Sequence, residues 1–330
     1  MGEDIAFRQE ISDFLKHHAI SMGKIAFSYF RNLSEDDVEQ KEGYVDDTVT
    51  IADKKNRAHI VAAVNNRYGD RVIMLTEETS ENFPYTVEDL MQLKKPIIII
   101  DELDGTRNFS KGIPFFCIPM AFAEFIDGAY EVTAGVVYNP VTEELFHAQK
   151  DNPAYVEYHK KNCGSDLIRL SKKEEGKRIL KVSETEMFFQ DDTPFNMAGN
   201  RKTFPIDYPA EYYRVLEVME AVRDKNPKTT EKNYKHCCAL EMLDVAQGKV
   251  DVYLNGKSAN WDYAAAFMIL QQAGGKGYLA RTTKQLLTLK TPWALQFDKP
   301  GAYYPTVFTN GTIDEQFIGY IGKINETKQR

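Results

Sequence analysis

The sequence predicts a mixed α/β fold in two lobes, and three observations carry that prediction. First, 330 residues at 43% hydrophobic and 12% aromatic composition can bury a core large enough for about two lobes. Second, two short apolar runs, Val72-Ile73-Met74-Leu75 and Pro96-Ile97-Ile98-Ile99-Ile100, are followed by acids, the pattern of buried strands with polar C-terminal ends. Third, helix-like and strand-like segments alternate beyond residue 211. The polar stretch 150–181, with Gly164 and Gly176, marks a soft boundary between an N-terminal α+β lobe, residues 1–165, and a C-terminal α/β lobe, residues 166–330.

In chain order, Ile11, Phe14, Leu15, Met22, Ile25 and Tyr29 recur at helical spacing, so residues 4–33 read as one long helix or as two broken at Gly23. An acidic stretch, 34–47, leads into a β-branched run at 48–51. Residues 56–68 then read as a helix ending at Gly69, with Asp53 at its start. The two apolar runs are the next strands. Residues 115–125 and 133–138 follow as further strands, the second closed by an Asn139-Pro140 turn. Segment 150–181 reads as a connection between lobes. Beyond it, 211–223 and 236–247 read as helices, 250–254 as a strand, and 261–273 as a helix closed by Gly274-Gly275. Residues 276–304 carry only weak local signals.

Charge and cysteine usage exclude several classes of function. Lys plus Arg number 41 against 49 Asp plus Glu, a net charge of −8, which argues against binding nucleic acid by phosphate neutralisation. Four cysteines, Cys117, Cys163, Cys237 and Cys238, form no CxxC pair, so neither a disulfide framework nor a zinc knuckle is expected. No apolar stretch approaches the ~20 residues that span a bilayer, and Met1-Gly2-Glu3-Asp4 resembles no secretory leader. The expectation is a protein of a reducing cytoplasm, off the membrane.

The chemistry is expected at the acids. Asp101, Glu102 and Asp104 follow a strand that must be buried on both faces, and buried carboxylates call for compensating cations. Hard oxygen donors on a short turn suit Mg2+. In an extended strand Asp101 and Asp104 face apart, so both reach one site only if the chain bends at Leu103, which also frees the Leu103 carbonyl. Gly105 permits that turn, and Thr106 can open a helix whose unpaired N–H groups hold phosphate. The plainer reading is a strand ending in a solvated acidic turn. Glu77 and Glu78 point to opposite faces, so at most one enters the same site unless the strand breaks there. Asp53 and Asp262 sit where helix caps sit, so capping and chemistry are both open for each. Ala264-Ala265-Ala266 lets the helix after Asp262 pack closely. Trp261 reads as a packing residue that fixes Asp262. His236-Cys237-Cys238 reads as helix-end packing rather than a metal or redox site, His17-His18 as an exposed helix face, and Lys172-Lys173 as solvated.

The order and combination of Asp53, Glu77-Glu78, Asp101-Glu102-Leu103-Asp104-Gly105-Thr106-Arg107-Asn108-Phe109 and Trp261-Asp262, with Ala264-Ala265 and Gly274-Gly275, resembles the inositol monophosphatase family. That family belongs to a wider group of Mg2+-dependent, lithium-sensitive phosphatases. By the resemblance the fold is a layered αβαβα sandwich of the sugar-phosphatase type. Glu77, Asp101, the Leu103 carbonyl, Asp104 and Asp262 match the ligands of two or three Mg2+ ions, with Asp101 bridging two of them. Thr106 paired with Asp53, together with Glu77, matches the groups that activate the attacking water. The Gly105 and Thr106 N–H groups match the phosphate cradle, and Asn255 and Asp262 fall on the substrate side. The implied reaction is metal-assisted hydrolysis of an inositol or sugar phosphate without a phosphoenzyme. The implied assembly is a homodimer, with neither nucleic acid nor membrane as partner.

Two positions depart from the family pattern: Glu102 stands where Pro is usual, and Asn255 where the inositol enzymes often place a sugar-contacting Glu. Segments 150–233 and 276–304 lengthen the chain. Residues 106–109 resemble the inositol and sugar branch more than the nucleotidase branch. The alternatives are a fructose-1,6-bisphosphatase, a 3′-phosphoadenosine 5′-phosphate nucleotidase, or a catalytically silent phosphometabolite-binding protein. A haloacid-dehalogenase-type site needs Asp-x-Asp on one strand face, and the spacing here is Asp-x-x-Asp. An EF-hand over 101–112 lacks its third, fifth and twelfth acidic ligands.

Overall fold

Apolar residues spaced three and four apart pull the N-terminal segment into a helix, α1 (Gly2–Tyr29), which runs unbroken and buries Ile11, Leu15, Ala19, Met22 and Ala26. Gly23 does not break it. A Cβ there would strike the Tyr138 ring, so the missing side chain lets α1 lie close on the sheet beneath. In the computed structural model, residues 2–40, 48–159, 165–168, 180–184, 230–233, 236–250, 252–282, 285–288 and 304–311 are described.

A short ribbon, β1 (Val38–Gln40) against β2 (Thr48–Thr50), leads into α2 (Ile51–Arg67). This helix starts five residues before the predicted one, and Ile51 is its first residue rather than the last of a strand. The reason is a capping box: the Thr50 hydroxyl accepts from the Ala52 N–H at 3.2 Å, and Asp53 accepts from the Thr50 N–H at 2.8 Å.

Among the described residues the first sheet has seven strands in sequence order: β3 (Ile73–Thr76), β4 (Ile97–Ile100), β5 (Ile118–Ile126), β6 (Ala129–Asn139), β7 (Glu144–Gln149), β8 (Ala154–Tyr158) and β9 (Ser165–Ile168). Helix α3 (Val87–Leu93) lies between β3 and β4, which run parallel, and every later pair is antiparallel. The predicted connection over 150–181 therefore contains two strands of this sheet, with Ala154 and Val156 turned inward in strict alternation.

Short helix α4 (Thr106–Ser110) follows β4, and the second sheet comes later in the chain. Among the described residues that sheet has six strands: β10 (Leu180–Glu184), β11 (Thr230–Asn233), β12 (Val252–Ser258), β13 (Lys276–Thr282), β14 (Gln285–Thr288) and β15 (Tyr304–Thr309), ordered β11-β10-β12-β15-β13-β14. Between the sheets run α5 (Cys238–Ala246) and α6 (Asn260–Gln272). The two strands β13 and β14 fall in the segment that the sequence left unread.

The four isoleucines of β4 show the layering. Ile98 and Ile100 pack with α1 and α2, whereas Ile97 and Ile99 pack with α5 and α6 on the other face. Helix α6 is close enough to the first sheet that a Cβ on Gly135 would meet the Ala265 carbonyl, and on its far side Phe267 and Tyr263 contact Phe308 of the second sheet. The described layers are thus helix, sheet, helix, sheet, an α/β sandwich. The helix predicted over 211–223, Cys163 and Lys172-Lys173 lie outside the described residues. Among those described, no helix is long and apolar enough to cross a membrane. The His17-His18 expectation needs correction: His17 is exposed, but His18 is half-buried with Nδ1 3.0 Å from Nε2 of His59 on α2.

Candidate active site

Parallel pairing of β3 and β4 places two pairs of acids side by side. Thr76 is level with Ile100, so the next residues of the two strands, Glu77-Glu78 and Asp101-Glu102, emerge together at one sheet end. The strand does break at Glu77, into a 3-10 turn over Glu77–Asn82. This is the break that the alternation argument left open for both glutamates: the charges of Glu77 and Glu78 each bear on Asp53 and Glu102, and Glu77 also bears on Asp101.

The bend expected at Leu103 is present. Asp101 Oδ1 accepts from the Leu103 N–H at 2.8 Å, a side chain substituting for a turn partner. Asp104 then rejoins the sheet through reciprocal backbone bonds of 3.0 Å with Cys117. Gly105 follows at φ +89°, and a Cβ there would come within 2.9 Å of the Phe115 carbonyl, so the position admits only glycine. Thr106 opens α4, and its hydroxyl donates to the Leu103 carbonyl at 2.7 Å, with Asp53 Oδ1 3.2 Å away.

Asp101 is the focus of the acids. Burial, then the charges of Glu77, Asp104, Asp262 and Glu102, push its carboxyl well above the ordinary range, so all four carboxylates bear on it. Asp262 arrives as the third residue of α6, accepting from the Ala259 N–H at 2.7 Å, so it caps the helix while its charge bears on Asp101. Trp261 is buried behind it, as a packing residue should be. Asp53 is buried with Oδ2 held by the Thr50 N–H and hydroxyl, and burial pushes its carboxyl up to about 7.

Asp104 has a second task. Its Oδ1 accepts from the Cys238 N–H at 3.2 Å and its Oδ2 from the Ala239 N–H at 2.7 Å, so it caps α5. Oδ2 also receives the Cys237 thiol at 3.2 Å and lies 3.7 Å from the Cys117 sulfur. Cys237 is buried at a helix end, as expected, but its partner is Cys117, 120 residues away, rather than its neighbour Cys238. Asn255 is buried on β12 and donates to the Cys238 sulfur at 3.5 Å, which sets it one residue from the Asp104 contacts.

Two contributors, Asn56 and Asn108, escaped the sequence reading, whereas Glu102 was already singled out there. Glu102 is fully buried; neither carboxylate oxygen has a hydrogen bond of good geometry, and burial with Glu77 and Glu78 pushes it up to about 8. Asn56 donates to the Glu102 carbonyl at 2.9 Å and leaves its own Oδ1 buried without a partner. Asn108 staples α4 to the segment before α5 by donating to the Phe115 and His236 carbonyls. Thr50-x-x-Asp53 carried a readable capping signal, whereas nothing local marks Asn56 or Asn108. Glu77, Asp101, the Leu103 carbonyl, Asp104 and Asp262 offer only oxygen donors, with Asp101 and Asp104 buried and Glu77 and Asp262 partly so, and such a set fits a hard divalent cation. Asp104 Oδ1 accepts one hydrogen bond and keeps a lone pair for such an ion.

A layered α/β sandwich with carboxylates gathered at the C-terminal ends of parallel strands is the framework of a phosphoric monoester hydrolase. The model of the inositol monophosphatase family matches residues 8–296, and the chain belongs to that family. Its relatives include an inositol-1-monophosphatase of Synechocystis, 29% identical over 72% of this chain and 68% of the relative. Another is a Thermotoga maritima fructose-1,6-bisphosphatase/inositol-1-monophosphatase, 27% identical over 88% of each. The same fold is seen in a solved IMPase/NADP phosphatase complexed with Mg2+ and phosphate, at a TM-score of 0.64, 15% identity and 95% coverage of both chains. The protein is an enzyme, a phosphatase of this family.

Proposed function

We propose that the protein hydrolyses the monophosphate of an inositol or sugar in a Mg2+-dependent reaction. The observation that carries this reading is that the charges of Glu77, Asp104 and Asp262 all bear on buried Asp101, beside the Thr106 and Asp53 pair. Glu77, Asp101, the Leu103 carbonyl, Asp104 and Asp262 would hold two or three Mg2+ ions. Bound there, the ions neutralise the phosphate, acidify a water and stabilise the leaving alkoxide.

The chain's own groups supply the rest. The Thr106 hydrogen is committed to the Leu103 carbonyl and Asp53, so its oxygen lone pairs are left to accept from an incoming water. Asp53, fixed by Thr50, takes up the displaced proton. The N–H groups of Gly105 and Thr106 are the first of α4 and face the phosphate oxygens. Glu77 helps to orient the attacking water. Asn255 and Asp262 contact the alcohol portion of the substrate.

The proposal extends to inhibition by Li+, a homodimer and a cytoplasmic location, each implied by family likeness. Phosphate release from inositol 1-phosphate, fructose 1,6-bisphosphate, sugar monophosphates and 3′-phosphoadenosine 5′-phosphate, with and without Mg2+, tests it. Metal-dependent turnover of a polyol or sugar ester above the rest is the expected result. Preference for the adenosine ester would move the protein to the nucleotidase branch, and silence on every ester with Mg2+ bound would favour a phosphometabolite-binding role.

A further inference from the structure

We propose that Cys117, Cys237 and Asp104 form a second metal site, selective for thiophilic ions such as Zn2+ and Cd2+, whose occupation withdraws Asp104 from the hard-ion site. The three side chains come from separate segments: Cys117 just before β5, Cys237 just before α5, and Asp104 just before α4. They are 0%, 1% and 8% exposed. Their ligand atoms lie within 4.8 Å of one another.

The spacing is that of a tetrahedral face. Zn–S bonds of about 2.3 Å and a Zn–O bond of about 2.0 Å, at the tetrahedral angle, set sulfurs about 3.8 Å apart and sulfur and oxygen about 3.5 Å apart. The two sulfurs are 3.7 Å apart, and they lie 3.2 and 3.7 Å from Asp104 Oδ2. An ion can therefore be seated between them with shifts of a few tenths of an ångström. Two thiolates prefer Zn2+ or Cd2+ to Mg2+, whereas the neighbouring oxygen set has the opposite preference. Three protein ligands leave a fourth position for a small oxygen donor.

Without metal the same contacts are S–H···O hydrogen bonds. Binding is thus an exchange: one Zn2+ enters, two thiol protons leave, and no electrons move. The N-terminus of α5, directly behind Cys237, favours the resulting negative charge. The cost to the enzyme falls on Asp104: Oδ2 turns to the soft ion, and the charge drawn there weakens Oδ1, the oxygen left for the hard ion.

Binding itself does not depend on the phosphatase reading, but the inhibition does, and the test separates them. The full chain, stripped of metal, is titrated with Cd2+ and with Co2+ while thiolate-to-metal charge-transfer absorption and proton release are followed. One equivalent with a thiolate band and two protons released is expected. Cys117→Ser and Cys237→Ser each abolish the band and weaken binding beyond the 10–100-fold typical of outer-shell changes, while Cys163→Ser keeps it. A wild-type chain with no thiolate band, or a band surviving in both serine variants, overturns the proposal, and the wild-type result decides even where a variant misfolds. In a second arm, stoichiometric Zn2+ at saturating Mg2+ blocks phosphate release by the wild type, but leaves Cys237→Ser with most of its own Zn2+-free rate. Equal Zn2+ sensitivity of the two proteins overturns the inhibitory role even if the band is present.

Discussion

Thr106 Oγ1 lies 3.2 Å from Asp53 Oδ1, joining two segments 53 residues apart. Asp53 is held there because it is the third residue of α2 and is tied to Thr50, while Gly105 turns the chain so that Thr106 faces back toward it. Removing the hydroxyl should uncouple the pair without disturbing either cap. Thr106→Ala is expected to lower kcat about 10²-fold, the scale of a general-base partner, and Thr106→Ser to restore much of it. Steady-state kinetics on both variants check this, and an unchanged kcat in the alanine variant removes Thr106 from the mechanism.

The Asp53 carboxyl, at about 7 in the metal-free site, gives a pH dependence. As a base it works deprotonated, so the rate should fall tenfold per unit on the acid side of its inflection and level off above it. Divalent cations nearby favour the carboxylate and move that inflection to 7 or below. An acid limb of kcat/KM that survives unchanged in Asp53→Asn would exclude Asp53 as the proton acceptor.

Glu102 should make the metal-free protein less stable as pH rises. Its carboxyl moves from an ordinary value of 4.5 when unfolded to about 8 when folded, so between those values the unfolded chain binds fewer protons and stability falls with increasing pH. Asp53, Asp101 and Asp104 shift in the same direction and add to the slope. Thermal melts in chelator at pH 5 and pH 8 should show a smaller Tm drop for Glu102→Gln than for the wild type. Identical drops would mean that Glu102 is not held neutral in the fold.

Asp101→Asn and Asp104→Asn should differ in kind. An asparagine at 101 still accepts from the Leu103 N–H and removes a crowded charge, so the fold should survive and phosphate release should vanish. An asparagine at 104 can serve only one of the two α5 N–H groups and should in addition cost about 0.5–2 kcal/mol of stability, the scale of a lost helix cap. Melting curves beside activity assays separate the two, and equal melting temperatures would remove the capping role from Asp104.

Much of the site was legible because its signals are local. Four isoleucines ahead of Asp101, the glycine behind Asp104 and the small residues behind Asp262 each state a strand, a turn and a close-packed helix within a few residues. What stayed illegible spans long separations. Asn56 meets the Glu102 carbonyl across 46 residues, and Cys117 meets Cys237 across 120.

The sequence by itself determined which residues could carry chemistry, where the chain would bend and which strands would be buried on both faces, because side-chain chemistry, alternation and turn preference act over one to four positions. Only the tertiary structure decided which acids share a site. The parallel register of β3 and β4 brought Glu77 and Glu78 together beside Asp101 and Glu102, and the packing of α5 against the Asp104 turn gave one carboxylate both a helix to cap and two thiols to hold. Those meetings depend on how sheets and helices stack, and the interactions that fix the stacking are distributed over the whole core rather than written beside any one residue.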